Sequence, residues 1–300
     1  MQDDWRDELH RIGQLLDSGC YPVVRNGGLV EPRTPAIPSQ ILGKELDHVR
    51  PRKKGTEARS GAPAQQGTFP WSSSPYLRPR ASHPPAPLVG AGLREKLLNE
   101  LGSINRAYPG TQHRLTDDGL WLVVESSLLP GFSQKAIFIV AIRFANGWIR
   151  GWGFWGTTTI GYEWIGPRHT NFPDGSICAF DPADGTWDVS GSFVGLLDLY
   201  TLWAARQLYH REFGRWPGYQ SIPYPYERIL ELRADEFCGC SKSSTSYGAC
   251  CFASDRAINQ IEEALQFTRL MSGGIRKPPP AIVDFLLRRS HAPNIALLVV

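Results

Sequence analysis

Two groups of residues in this chain have the types and the spacing that chemistry needs. The first ends at Cys178, in the run His169-Thr170-Asn171-Phe172-Pro173-Asp174-Gly175-Ser176-Ile177-Cys178. A thiolate is a strong nucleophile at modest basicity, and a thioester formed on it stays reactive toward an amine, so a presented cysteine can accept an acyl group and pass it on. Taken without its neighbours, a cysteine between Ile177 and Ala179-Phe180 reads as a small buried hydrophobe. A lone histidine or asparagine in a Pro- and Gly-bearing loop likewise reads as a turn residue. The second group is Cys238-Gly239-Cys240 followed by Cys250-Cys251, four of the chain's six cysteines inside fourteen residues. Four thiolates complete the tetrahedral shell of Zn²⁺ with no open position, which makes such a site structural; the competing reading is a set of free loop thiols, exposed at this density to oxidation.

Both groups need elements to hold them. Residues 3 to 17 space Trp5, Leu9, Ile12, Leu15 and Leu16 by three and four, which predicts an amphipathic helix with an acidic first turn, followed by a turn to about residue 30. From 31 to 90 the composition shifts to Pro, Ser, Gly, Ala and basic residues, as in Pro51-Arg-Lys-Lys54 and Pro84-Pro-Ala-Pro87, too polar to offset the entropy of ordering, and the expectation is a flexible linker. Leu93, Leu97, Leu98, Leu101 and Ile104 then share one helical face, ending before Pro109-Gly110. Extended runs at Leu120 to Leu128, Ala136 to Phe144 and Trp148 to Trp155 are separated by Leu129-Pro-Gly-Phe132 and Asn146-Gly147, which predicts a three-stranded antiparallel meander with a further extended segment near Thr157 to Trp164. Its tryptophans, Trp148, Trp152, Trp155 and Trp164, read as core filling before they read as a stacking platform. The irregular stretch Gly166 to Gly191 carries Cys178, and Leu196, Leu197, Tyr200, Trp203, Ala204 and Leu208 mark a long helix ending near Phe213. These parts predict an α+β sandwich with helices on one side of the sheet. The tail adds a helical face of Ile258, Ile261, Ala264, Leu265 and Thr268, a short helix after Pro278-Pro-Pro280 and a strand-like closing run from Ile295.

The 169–178 run resembles the His-Pro-Asn...Asp-Gly-x-Ile-Cys signature of ubiquitin-conjugating (E2-like) enzymes. The resemblance spans roughly residues 91 to 220 and includes the order helix, meander, signature loop, helix. The bacterial branch found in antiphage (CBASS-type) operons is the most similar, through the Trp- and Gly-rich strands and Phe213-Gly-Arg-Trp-Pro-Gly218. The resemblance implies a UBC-like fold and a thioester on Cys178, formed with the C-terminus of a ubiquitin-like modifier or of a cyclic-nucleotide synthase and passed to an amine. It also implies that Asn171 donates to the oxyanion and that His169 steadies the loop without acting as general base. Thr170 stands where the family has proline, and the interval from His169 to Cys178 is one residue shorter. The cysteine cluster, with Tyr247 and Ser241-Lys-Ser-Ser244 between its halves, resembles the small (SEC-C-like) zinc motif at the C-terminus of the bacterial secretion motor ATPase. Cys238, Cys240, Cys250 and Cys251 would then ligate zinc, either as a stability clip or as a docking knuckle.

Composition bounds the rest. The 300 residues, 42% hydrophobic, suffice for one main core and a small second unit. The expected division is an N-terminal helix and turn (1–30), linker (31–90), catalytic domain (91–222), zinc motif (223–256) and helical tail (257–300). A formal charge of +3 disfavours nucleic acid as a partner, and neither a membrane span nor a basic-then-apolar leader is apparent, so the expectation is cytoplasmic. With no Gly-rich nucleotide loop, adenylation falls to a separate E1-like activating enzyme. The competing readings are a non-catalytic E2-like scaffold that binds partner tails, and a zinc-knuckle adaptor for nucleic acid or protein.

Overall fold

The computed structural model describes residues 4–25, 28–33, 88–129, 135–157, 161–180, 186–240, 245–270, 276–288 and 291–298. Helix α1 (Asp4–Asp17) buries the face its spacing predicts, with Leu9, Ile12 and Leu16 inside the main core. An antiparallel hairpin follows, β1 (Tyr21–Arg25) and β2 (Gly28–Arg33), so residues 31–33 of the expected linker are strand. The remainder of that linker, 34–87, lies outside the described residues.

After α2 (Gly90–Ala107) comes one five-stranded antiparallel meander: β3 (Gln112–Leu115), β4 (Gly119–Glu125), β5 (Ala136–Arg143), β6 (Ile149–Thr157) and β7 (Gly161–Trp164), paired in sequence order. The expected extended segment is β7. Strand β3 was not expected because Gln-His-Arg-Leu carries no apolar signal; it is exposed along its length and forms a charged sheet edge. The long helix α3 (Phe193–Phe213) closes with Gly214 in the left-handed conformation.

Helices cover both faces of the sheet, where the sequence led us to expect one. Leu120, Leu122 and Val124 of β4, with Phe138, Val140 and Ile142 of β5, face α1, α2 and α3. Trp121, Val123, Ile137, Ile139, Ala141, Trp152 and Phe154 point the other way, onto Ile282, Phe285 and Leu286 of α7 (Pro280–Arg288) and Ile295. The signal was in the strands themselves: β4 and β5 are continuous apolar runs, the pattern of strands buried on both sides, without the alternation of a half-solvated sheet. Of the expected closing strand, Ile295–Leu297 form a 3₁₀ turn, capped by the Asn294 side chain, which accepts from Ala296 N–H at 2.9 Å, and residues 299 and 300 lie outside the described residues.

Between α3 and α7 lie α4 (Pro225–Glu231), α5 (Phe252–Ala257) and α6 (Gln260–Leu270). The helix α6 forms, yet its predicted apolar face stays open, with Ile261 75% and Leu265 54% exposed. Its Phe267 instead packs against Phe172, Tyr224 and Tyr226. Among the described residues no helix is long and apolar enough to cross a membrane.

Candidate functional site

Residues 165–178 extend the sheet beyond β7. Ile165 N–H donates to Gly153 O at 2.9 Å and Ile177 N–H to Gly151 O at 2.7 Å, so both ends of the segment are pinned to β6. Gly151 is required there, because a Cβ would sit 2.5 Å from the Tyr200 ring of α3. Within the segment Thr170 pairs with Ile177, and Cys178 N–H donates to His169 O at 3.0 Å. The Asp174 carboxylate accepts from Ser176 N–H at 3.0 Å, and Gly175, at φ +62°, makes the turn. A Cβ on Gly175 would meet the Lys277 backbone at 2.7 Å, so the turn fits beneath residues 277 and 278 only as glycine. Three indole N–H groups hold the segment from outside: Trp152 to Asp174 O (2.8 Å), Trp164 to Gly175 O (3.3 Å) and Trp203 to His169 O (2.9 Å). At the end of this braced loop Cys178 is exposed to solvent.

Asn171 is a strut of the loop. Its Nδ2 donates to Ser176 Oγ (3.1 Å) and to Ile177 O (3.2 Å), which uses both amide hydrogens. The oxyanion role implied by the resemblance requires one of those bonds to be exchanged for a substrate oxygen. His169, at φ +51°, lies against the Trp216 ring with centroids 4.2 Å apart, and its Nε2 meets Gln220 Oε1 at 2.9 Å. The Gln220 amide is oriented by its own bond from Nε2 to Phe237 O (2.8 Å), and its oxygen also accepts from Arg168 (3.1 Å), so His169 Nε2 carries the proton. Burial, and then the charge of Arg168, hold the His169 ring well below the usual histidine range, leaving it neutral and committed to Gln220. The buried Tyr200 phenol below the loop has no hydrogen-bond partner among the described residues; burial pushes its proton affinity up, Arg150 opposes this and charge on Cys178 adds to it.

The cysteine cluster is assembled. The sulfurs of Cys238, Cys240, Cys250 and Cys251 all lie within 4.8 Å of one another. The Cys240–Cys250 and Cys250–Cys251 separations are 3.5 and 3.7 Å, and a tetrahedron with metal–sulfur bonds of about 2.3 Å has edges of about 3.8 Å. A disulfide needs about 2.05 Å, so these distances match a shared ion and not a bond. Burial pushes the Cys238 and Cys251 thiols up, the state that a divalent cation reverses by supplying the missing counter-charge. These four residues can hold a metal ion. The knuckle is anchored by a buried bidentate pair, Arg228 to Asp255, with both bonds at 2.8 Å.

Several residues central to the site were missed in the sequence. Arg168 and Glu236 form a buried ion pair with side chains 6% and 0% exposed. Arg276 donates to Pro167 O (2.9 Å), pairs with Glu227 and Glu231, and lies 3.9 Å over the Phe172 ring. They sit in stretches without a motif, and only their unusual burial as charged residues marks them. The chain matches no protein-family model, and no curated protein or solved structure matches it.

Proposed function

We propose that the chain is an E2-like acyl transferase of the ubiquitin-conjugating kind, with Cys178 as the acceptor thiol. The observation that carries the reading is an exposed cysteine at the end of a rigid loop, itself set between an antiparallel meander and a long helix. In this reading the Cys178 thiolate attacks the thioester carbonyl of an activated C-terminus delivered by a separate E1-like enzyme. A tetrahedral intermediate forms and the activating enzyme's thiolate leaves. A neutral amine then attacks the Cys178 thioester, the carbon–sulfur bond breaks with Cys178 leaving as the thiolate, and the amide forms as the nitrogen gives up a proton to solvent. The acyl donor is a ubiquitin-like modifier or the C-terminal tail of a cyclic-nucleotide synthase, in the setting of bacterial antiphage defence. The chain's own contribution is presentation: the indoles and Asn171 fix the loop, so the sulfur pays little ordering entropy at the moment of attack. The cysteine cluster, in the same reading, holds zinc as a closed structural site, since four thiolates leave no position for a substrate.

The test is a trapped adduct. Cys178→Ser incubated with activating enzyme, ATP and the candidate tail should accumulate a base-sensitive oxyester, and the parent a hydroxylamine-sensitive thioester. Full transfer activity in Cys178→Ala would sink the reading in favour of a scaffold.

A further inference from the structure

The loop and the cysteine knuckle are joined by a chain of buried and half-buried polar contacts that neither motif requires. Glu236 stands two residues before Cys238, at the root of the knuckle. Its backbone N–H donates to Arg233 O (3.1 Å) and its carbonyl accepts from Tyr247 N–H (2.7 Å), so both halves of the knuckle fix its position. The next pairings, Phe237 with Ser246 and Cys238 N–H to Thr245 O at 3.1 Å, continue that clasp. From there the Glu236 side chain leaves the knuckle. It takes Arg168, the residue immediately before His169, and accepts from Trp216 N–H at 2.8 Å. Gln220 runs beside it, donating to Phe237 O and accepting from Arg168 and His169. The far end of this chain is the His169 carbonyl, which receives Cys178 N–H.

We infer that the metal-bound knuckle is the abutment on which the Cys178 loop is set, with Glu236 and Gln220 as positioning residues that carry the placement across. The physical reason is that Glu236 and Arg168 are buried together, so neither can shift without leaving a charge unpaired in the interior. Without a cation the four sulfurs meet only through weak S–H contacts and the backbone clasp alone joins the two halves, whereas an ion ties Cys238-Gly-Cys240 to Cys250-Cys251 and stiffens the clasp from which the Glu236 side chain departs. The knuckle is thus more than a local clip. The functional consequence rests on the acyl-transferase reading, while the link between metal and loop order stands apart from it.

The experiment follows amide exchange by NMR in the full chain, loaded with Zn²⁺ or Co²⁺ and then stripped with a chelator. Stripping should speed exchange at Asn171, Gly175, Ile177 and Cys178 by tenfold or more, while Leu122 and Ile139 in the sheet interior keep their rates. Glu236→Gln and, outside the knuckle, Gln220→Ala should retain the tetrathiolate absorption of bound Co²⁺ and still loosen the same amides. Unchanged loop exchange after stripping overturns the inference, as does a Gln220→Ala protein with a normal cobalt spectrum and parent-like loop exchange. Adduct formation is scored on the same samples. Metal-dependent exchange with no adduct supports the abutment and counts against the transferase reading, whereas an adduct with metal-independent exchange does the reverse.

Discussion

The four knuckle cysteines were legible as a group from residue type and spacing, because a metal shell demands particular atoms in a short stretch, whereas Cys178, which the structure leaves exposed, was singled out by resemblance and not by spacing. The partners through which Asn171 and His169 act were not legible. Asn171 spends both amide hydrogens on the loop, so Asn171→Ala removes two hydrogen bonds worth about 0.5–1.5 kcal/mol each. Denaturant melts should show a stability loss of about 1–3 kcal/mol, and parent-like stability would remove the strut. For His169 the sign follows from its depressed proton affinity. The folded protein keeps the ring neutral, with Arg168, Arg206 and Arg276 charged around it and Gln220 bonded to it, while the unfolded chain binds a proton near pH 6.5. Stability is therefore full above pH 6.5 and falls below it, by at most about 1.4 kcal/mol per pH unit until the folded ring also protonates. His169→Asn, which tolerates the positive φ, should lack this slope, as denaturation from pH 7.5 to 5.5 would reveal. Equal slopes in the two proteins would place the pH dependence elsewhere.

At the scale of elements, the amphipathic helices and apolar strands announced themselves by period, and the failures have physical causes. The polar β3 has no period to read, and β4 and β5 lack alternation because both of their faces are covered. Nor could spacing say what α1 packs on. Ile12 is 0% exposed in the main core, so Ile12→Ala should cost about 2–5 kcal/mol. A loss under 0.5 kcal/mol in thermal and denaturant unfolding would mean that α1 rests on the surface.

For the whole molecule, what the sequence concealed is how far apart in the chain the partners of the loop lie. Arg276 reaches Pro167 across 109 positions and Arg168 reaches Glu236 across 68. Spacing rules act over a turn or a strand and carry no signal at such separations. The closing segment also seals one sheet face, so a chain stopped after residue 275 would bare Trp121, Ile139, Trp152 and Phe154. That truncation should bind a hydrophobic dye and aggregate, and a soluble truncated chain that ignores the dye would show that α7 is dispensable. The order in which the ribosome delivers the protein then takes on a meaning. At translation rates of about 5–20 residues per second, Cys178 emerges many seconds before Arg276 arrives to press on Phe172 and before residues 277 and 278 cover Gly175. The nascent chain thus carries its thiol for an interval without the finished cradle around it, and the sulfur matures only once residues 276 to 278 have been delivered.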